Sequence, residues 1–448
     1  MHYKAKSSKN EYQPSKDGKV GRVISVVAIG CGSRTKIYAT LMAQLRGRFS
    51  IVAVSDPVAE RRRSVKAIYG DPSVPEFDSA EALLQETQLA DLAIIATPDS
   101  QHCAQAISAM RRGYDLLLEK PIATSLEDVA KVALEAERLN RKVVVCHVLR
   151  YSPFYQKVKS IVDSGRLGSV VSIQATEGVG AFHHAHSFVR GHWRNEEATS
   201  PMILAKSCHD LDILQWIAGS PCSTVTSVGG IRYFKQDSAP PNSTASCIES
   251  CPHVGHCEYD AHKYLKSESQ WLSYVLPDLD AETSQPEATK AWLAKSQWNR
   301  CVFQCDNTAV DHQVVQLVFE NSVTASFTMT AFAKGRTLEI YGTEACLRCG
   351  EFYKETFGSD MIISDHFGGT TEQITVDIEE LGYRGHGGGD MGLVKALETI
   401  MDSQDEKHSA HLVTESVESH FMAFAAHESR KQGGIPVSVA DFRTFVCE

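Results

Sequence analysis

The chain has 448 residues, 43% hydrophobic and 22% charged, with 45 basic against 55 acidic side chains and a net charge of −10. A single core stops growing near ~250–300 residues, so two domains are expected. The acidic balance argues against nucleic acid and membrane as partners, and no stretch approaches the ~18–20 uninterrupted apolar residues of a membrane span. Met1–Lys19 is polar, lacks the apolar run of a secretion signal and reads as a flexible tail. Thirteen cysteines, with Cys31, Cys103, Cys146 and Cys208 inside apolar or motif-bearing runs, suit free thiols in a reducing compartment, so a cytoplasmic location is expected.

From Val23 the texture changes. Val23–Ile29 is the continuous apolar run of a strand buried on both faces. Helical Ile37–Leu45, strand Ile51–Val54, helix Ser79–Thr87, strand Leu92–Ala96 and helix His102–Arg112 follow, then strand Tyr114–Leu118, helix Ser125–Leu139 and strand Val143–Cys146. Such alternation means right-handed βαβ units and a doubly wound parallel sheet. Beyond about His147 longer β-type stretches take over: Ser169–Thr176, Ser223–Gly229, His312–Phe319 turning at Glu320-Asn321 into Ser322–Phe332, Arg336–Tyr341 and Gln373–Asp377. The expectation is an α/β chain: a tail at 1–20, a nucleotide-binding domain at 21–147, and an α+β domain at 148–448 with a large, mostly antiparallel open sheet. A polar, cysteine-bearing segment at about 236–300 reads as an insertion, and Thr414–Arg430 as a helix with Val417, Phe421, Phe424 and Ala425 on one stripe.

Gly30-Cys31-Gly32-Ser33-Arg34-Thr35 follows the first strand and opens a helix, where a pyrophosphate can rest on helix N-terminal amides. The third glycine of the usual pattern is replaced by Thr35, which costs close helix–strand packing and leaves the two phosphate-facing glycines in place. Asp56 ends the second strand 24 residues after Gly32, where a carboxylate can accept from both ribose hydroxyls. Asp56 would repel a 2′-phosphate and favour NAD, whereas Arg34 and the run Arg61-Arg62-Arg63 leave NADP open. Thr97-Pro98 and His102 stand at the carboxyl edge of the sheet, where ligands bind in such folds.

Glu119-Lys120-Pro121 ends the next strand, and with the glycine loop, Asp56, Thr97-Pro98 and His102 it begins an ordered series of motifs. Arg150-Tyr151-Ser152-Pro153, Gly165-Arg166-Leu167-Gly168 and Cys208-His209-Asp210-Leu211-Asp212 complete it. Together they resemble the Gfo/Idh/MocA oxidoreductases over nearly everything after Val23. The resemblance implies a Rossmann domain, a following α/β domain whose open sheet serves as a homodimer or homotetramer interface, and a carbohydrate substrate between the two. It implies that Lys120 is the catalytic lysine at the nicotinamide and His209 the histidine beside the substrate carbinol, with Glu119 at the cofactor and Tyr151 a hydroxyl donor to substrate. Chemically, hydride transfer from a carbinol needs a group to take the hydroxyl proton, and imidazole titrates in the right range. A desolvated lysine can polarise the same oxygen.

One departure stands out. Family members often carry an aspartate one turn before the histidine, but this chain has Ala205 and then Lys206, so either Lys206 or Asp212 orients the site or the chemistry differs. The stretch His183–Arg194 is expected on the substrate side: His186, Arg190 and Arg194 offer hydrogen bonds to hydroxyls or a carboxylate, and Trp193 a stacking face. The bland alternative has Trp193 plugging the domain interface and the arginines paired with Glu196 or Glu197. Cys247, Cys251, Cys257 and Cys301, with Cys305 nearby, are either a structural zinc site or buried free thiols. The expected function is NAD(P)-dependent oxidation or reduction of a carbinol in a sugar, polyol or related carbohydrate. Two rivals remain at this stage: a redox-neutral glycoside hydrolase or lyase that uses bound NAD, and a non-enzymatic NAD-binding regulator.

Overall fold

The computed structural model describes residues 22–45, 47–266, 286–369, 371–377, 385–403 and 406–447, with no description of the side chains of 406–412 and 445–447. The tail expected over Met1–Lys19 and part of the insertion, 267–285, lie outside the described residues.

Six strands form a wholly parallel sheet: β1 (Ile24–Ile29), β2 (Phe49–Ser55), β3 (Glu76–Phe77), β4 (Leu92–Ile95), β5 (Asp115–Leu118) and β6 (Val143–Val145). Their order is β3-β2-β1-β4-β5-β6, so the winding reverses between β1 and β4 and opens a crevice at the carboxyl ends of those strands. Successive residues of β1 serve opposite cores: Val27 and Ile29 enter one, Ile24, Val26 and Ala28 the other. That is why the run has no polar position beyond Ser25, which bonds Asp91. The covering helix Leu126–Arg138 shows how local sequence sets an element. Ser125 caps it by accepting from the Asp128 N–H, Glu127 and Asp128 occupy its first turn and Arg138 its last, and Val129, Val132, Ala133 and Ala136 are buried.

Nine strands form the second sheet: β7 (Val170–Val179), β8 (Cys222–Gly230), β9 (His312–Phe319), β10 (Thr324–Thr330), β11 (Lys334–Gly342), β12 (Ala345–Gly350), β13 (Met361–Asp365), β14 (Thr371–Ile374) and β15 (Val437–Ser438). The order is β14-β13-β12-β11-β7-β10-β9-β8-β15, antiparallel except for the β7–β10 pair. The β9–β10 hairpin turns where expected, with Ser322 in the left-handed region at φ 70° and Val315, Leu317, Ala325, Phe327 and Met329 facing the core. Strands β3, β12, β13 and β15 were not legible in the sequence. Two of them are two residues long and exist only through their pairing with β2 and β8.

The end of the chain returns to the first sheet. Helix Gly389–Asp402 buries Met391, Leu393, Val394 and Leu397 against the face that carries Ile24 and Val26. Arg48 ties the two together through Glu398 and Asp402, both at 2.6 Å. The last long helix runs over Glu406–Lys431 and lies against both sheets, so its buried surface exceeds one stripe: Val417, Phe421 and Ala425 are buried as expected, and so are Met422, Ala423 and Ala426.

The insertion supports itself with apolar clusters: Phe234, Tyr259, Val302 and Phe303 in one, Ile248, Ala261, Tyr264, Leu293 and Trp298 in another. Of the two readings of Cys247, Cys251, Cys257 and Cys301, structural zinc or free thiols, zinc finds no support. Among the described residues no three His, Cys, Asp or Glu side chains gather to hold a metal ion. A fully buried cation, Arg190, instead stands beside Cys247, 3.5 Å from its Sγ. All twelve described cysteines are free thiols. Among the described residues no helix is long and apolar enough to cross a membrane.

His184 is wholly buried between Phe188 and Phe234, at ring distances of 5.6 and 5.2 Å, with neither ring nitrogen partnered. Burial pushes its pKa down to about 3, and that of His420 likewise to about 3. Unfolding returns each imidazole to ~6.5, so below that pH the unfolded chain binds protons that the fold refuses, and stability falls as pH falls. Each such histidine contributes a slope of about 1.4 kcal/mol per pH unit. Denaturant unfolding measured from pH 7 to 5 is expected to show this loss, with His184→Leu removing one proton's share. An unchanged slope in that variant would refute a neutral His184.

Candidate active site

At the crevice, Gly30 has φ +82° and a Cβ there would lie 2.6 Å from the Ala96 carbonyl, so only glycine fits. Gly32 differs: a Cβ would meet nothing within 4 Å. It precedes helix Ser33–Gln44, which has no side-chain cap and no acidic residue in its first turn, and Ser33 is exposed. An open cradle with free helix-terminal amides suits a pyrophosphate. Thr35, standing for the third glycine, is fully buried and donates its hydroxyl to the Gly30 carbonyl at 2.5 Å, pinning the loop. Asp56 accepts the N–H groups of Cys31 at 2.9 Å and Val58 at 2.8 Å, which sets its carboxylate against the same loop. Thr97 is half-buried and bonds Gln105, with Pro98 exposed beside it. His102, expected at the cofactor, is instead a buried staple: its two ring nitrogens lie 2.7 Å from the Pro121 carbonyl and 2.9 Å from that of Thr97.

Arg34 is committed within the protein. Its guanidinium donates to Glu119 at 2.7 Å and Asp390 at 2.6 Å and stacks over Tyr38, whose hydroxyl also donates to Glu119. Burial alone would raise the Glu119 carboxyl, but Arg34, Lys120 and Tyr38 outweigh it and hold it below the usual range. Asp390 is likewise held at about 2, burial being outweighed by His386 and Arg34.

Lys120 reaches across from β5 to the second domain, its Nζ donating to the Ala205 carbonyl at 2.7 Å. The position that lacks the family's aspartate therefore receives the lysine through its backbone. His209 stands in the first turn of helix Cys208–Ala218, 7% exposed, with its Nδ1 buried and unpartnered. Burial, then Lys120, His147 and His386, push its pKa well down. His147 lies edge-on to it at 5.9 Å and 3.1 Å from Asp212, an ion-pair contact whose angle falls short of a hydrogen bond. Burial would lower His147, but the Asp212 carboxylate outweighs it and holds the imidazole up at about 9. Asp212 is in turn gripped by Arg150 at 2.6 and 2.8 Å, so it orients His147 rather than meeting a substrate. Lys206 pairs with Glu177 at 3.1 Å, and Arg336, opposite Glu177 on β11, also bonds Asp210. With one guanidinium between them, Glu177 is held low and burial pushes Asp210 up.

Much of the His183–Arg194 stretch faces elsewhere. His186 bonds Tyr264 and stacks on Trp298 of the insertion. Arg190 donates to the carbonyls of Arg300 and Tyr259, and Arg194 pairs with Asp306 rather than with Glu196 or Glu197. The insertion folds over this stretch and takes its donors. Trp193 donates to Asp99 at 2.8 Å, a link to the loop after β4 and thus the interface role. Tyr151 packs against helix Gly389–Asp402, where Gly392 comes so close that a Cβ would lie 2.1 Å from the Tyr151 carbonyl. Of that loop only His183 stays near the site: burial and then Lys206 push it down to about 4, with Glu177 and Lys120 also in reach. The sequence reading did not single out His147, Glu177, Arg336, His386 or Asp390. Only the run His386-Gly387-Gly388-Gly389-Asp390 carries a local signal, three glycines between two ionisable side chains.

Glu119→Gln removes the charge that Arg34 and Tyr38 surround. The expected loss of unfolding free energy is on the order of 2 kcal/mol, less than for a wholly buried pair because the Arg34 side chain is 27% exposed. Asp128→Asn, which breaks the exposed Lys131 pair, should cost under about 1 kcal/mol. Equal losses in denaturant titrations would refute the clamp.

Residues 24–147 match the family description "Oxidoreductase family, NAD-binding Rossmann fold", and 159–439 match its "C-terminal alpha/beta domain". The oxidoreductase YteT of Bacillus subtilis is 24% identical over 82% of this chain and 87% of its own length. Inositol 2-dehydrogenase 2 of Saccharopolyspora erythraea is 24% identical over 46% of this chain and 56% of its own length, so the chain spans about half of that relative. Among solved structures, an oxidoreductase domain protein from Kribbella flavida superposes with a TM-score of 0.66 at 15% identity, covering 93% of this chain and 99% of that one. Scyllo-inositol dehydrogenase of Lactobacillus casei, with NAD(H) and scyllo-inositol bound, gives 0.59 at 18% identity, covering 94% of this chain and 100% of that one. With both of its domains matched, the chain belongs to the Gfo/Idh/MocA family of oxidoreductases.

Proposed function

We propose that this protein is an NAD-dependent dehydrogenase that oxidises a secondary carbinol of a polyol or sugar, or reduces the matching ketone. The observation that carries the reading is the convergence of Lys120 and His209, with Arg34 tying Glu119, the neighbour of Lys120, to the helix that follows the open Gly32 cradle. Gly30, Gly32 and Ser33 would hold the pyrophosphate, Asp56 the ribose hydroxyls, and Thr97 and Pro98 the edge nearest the nicotinamide. When bound, nicotinamide supplies the hydride acceptor. The Lys120 ammonium exchanges the Ala205 carbonyl for the substrate oxygen and stabilises charge as it develops there. His209 takes the hydroxyl proton, and Lys206 and Glu177 stand ready for neighbouring hydroxyls. The relatives named for inositol oxidation support a polyol as substrate class.

NAD rather than NADP is supported by the engagement of the nearby arginines. Arg62 bonds Glu76 at 3.0 Å and the Asp56 carbonyl at 2.5 Å, and Arg34 is held by Glu119 and Asp390, so neither awaits a 2′-phosphate. The reading includes a cytoplasmic homodimer or homotetramer. The free thiols support the compartment, and Val228 and Val318, 52% and 42% exposed on paired strands of the open sheet, support the assembly.

Purified protein with NAD⁺ and a panel of inositols, sugars, polyols and aryl glycosides is expected to accumulate NADH with a polyol or sugar. Lys120→Ala should lower kcat by about 10²-fold or more while NAD⁺ affinity changes little. Aglycone release without net NADH would replace this reading with a redox-neutral glycosidase. Asp56→Ala should weaken NAD⁺ binding by about tenfold or more and leave NADP⁺ binding unchanged or improved, as read by cofactor titration. Retained preference for NAD⁺ would remove Asp56 as its source.

A further inference from the structure

The mechanism so far leaves the carbinol proton on His209, which cannot keep it. That ring is 7% exposed, its Nδ1 has no acceptor, and its neighbours Lys120, His147 and Arg336 are cationic or cation-bearing. The neighbouring ring at 6.2 Å, His386, has the opposite surroundings. Its side chain is 40% exposed, and its Nδ1 lies 2.9 Å from Asp390 Oδ2, a carboxylate with no exposure of its own. Asp390 Oδ1 is occupied by Arg34, so the carboxylate is fixed from both sides.

The backbone here is arranged for this geometry. His386, Gly387 and Gly388 all have left-handed φ, 48°, 61° and 86°, which glycine tolerates and which curls the chain back on itself. Gly389 then lies so close to the Val148 carbonyl that a Cβ would come within 2.2 Å, and Asp390 follows in the first turn of helix Gly389–Asp402. A histidine held at positive φ is uncommon and occurs where the surroundings demand it.

We propose that His386 is the terminal proton acceptor of the site and Asp390 its positioning residue, so that His386 and Asp390 replace the aspartate missing at position 205. This rests on the dehydrogenase reading. In the oxidative direction the carbinol O–H bond breaks as C=O forms, and NAD⁺, when bound, would take the hydride that leaves the carbon. The rings stand 6.2 Å apart with no direct hydrogen bond, so the proton passes from His209 by way of a bridging water to Nε2 of His386, which becomes imidazolium and releases it to solvent. Among the described residues, the groups around His386 include Asp390, Arg34 behind Asp390, His209 from helix Cys208–Ala218, Lys120 and His147 around His209, and the segment of Arg150 and Tyr151 packed against the loop.

Two measurements test this on the full-length protein. Ring ¹⁵N spectra, with His386 assigned by its loss in His386→Gln, should show neutral His386 as the Nδ1–H tautomer, with Nε2 free to accept. Asp390→Asn should weaken that preference. In the turnover assay His386→Gln should lower kcat by about 10²-fold and recover several-fold with added imidazole, with KM for NAD⁺ little changed. An Nε2–H tautomer in the wild type, kcat within threefold in His386→Gln, or a loss that imidazole does not restore would each overturn the assignment. Wild-type protein that reduces NAD⁺ with no polyol or sugar, whatever its tautomer, would overturn the dehydrogenase reading itself and the acceptor role with it.

Discussion

The site depends on one guanidinium. Arg34 leaves the first turn of the helix behind the glycine loop and holds Glu119, at the end of β5, together with Asp390, which arrives 356 residues later in the chain. Glu119 precedes Lys120, and Asp390 fixes His386. One cation therefore sets the relative positions of the cofactor cradle, the lysine and a C-terminal imidazole. Two carboxylates at this depth would repel each other without it, and the cation would be poorly solvated without them. Each partner makes the other tolerable, and the geometry follows from that mutual need.

The same logic recurs around it. Asp212 is buried, yet it stays ionised because Arg150 and His147 share it, and His147 is held charged in return. The next ring, His420, stacks on His147 at 5.6 Å and is neutral: it accepts the Ile122 N–H and donates to the Ser416 carbonyl. Glu177, Asp210, Arg336 and Lys206 form a second network on the inner face of the nine-stranded sheet. His209 sits between these networks with no carboxylate of its own. Its low proton affinity is a consequence of burial first and then of the cations around it.

How much of this was legible depended on whether the information was local. The parallel sheet and the glycine loop announced themselves because strand periodicity and turn glycines are properties of adjacent residues, whereas Lys120 and His209 were singled out through the resemblance of an ordered motif series and their roles are proposed. The arginines of the His183–Arg194 stretch were misread because their partners, Arg300, Tyr259 and Asp306, lie 69 to 112 residues on, in a segment whose own pattern says only that it is polar. His102 was left between helix cap and ligand for a related reason, since a histidine at the carboxyl edge of a sheet looks the same whether it faces a ligand or two carbonyls. The cysteine cluster suggested zinc by composition, whereas apolar packing and a buried arginine hold that region.

By itself the sequence determined the two-sheet class and the glycine loop, because each rests on spacing that the backbone reads locally, while Lys120 and His209 were reached only through the resemblance of an ordered motif series. Tertiary structure alone decided which ionisable groups meet: Arg34 with Asp390, His147 with Asp212, His386 with His209. Those pairings join residues 60 to more than 350 positions apart, and charge in a low-dielectric interior is governed by distances of a few ångströms that no spacing along the chain encodes.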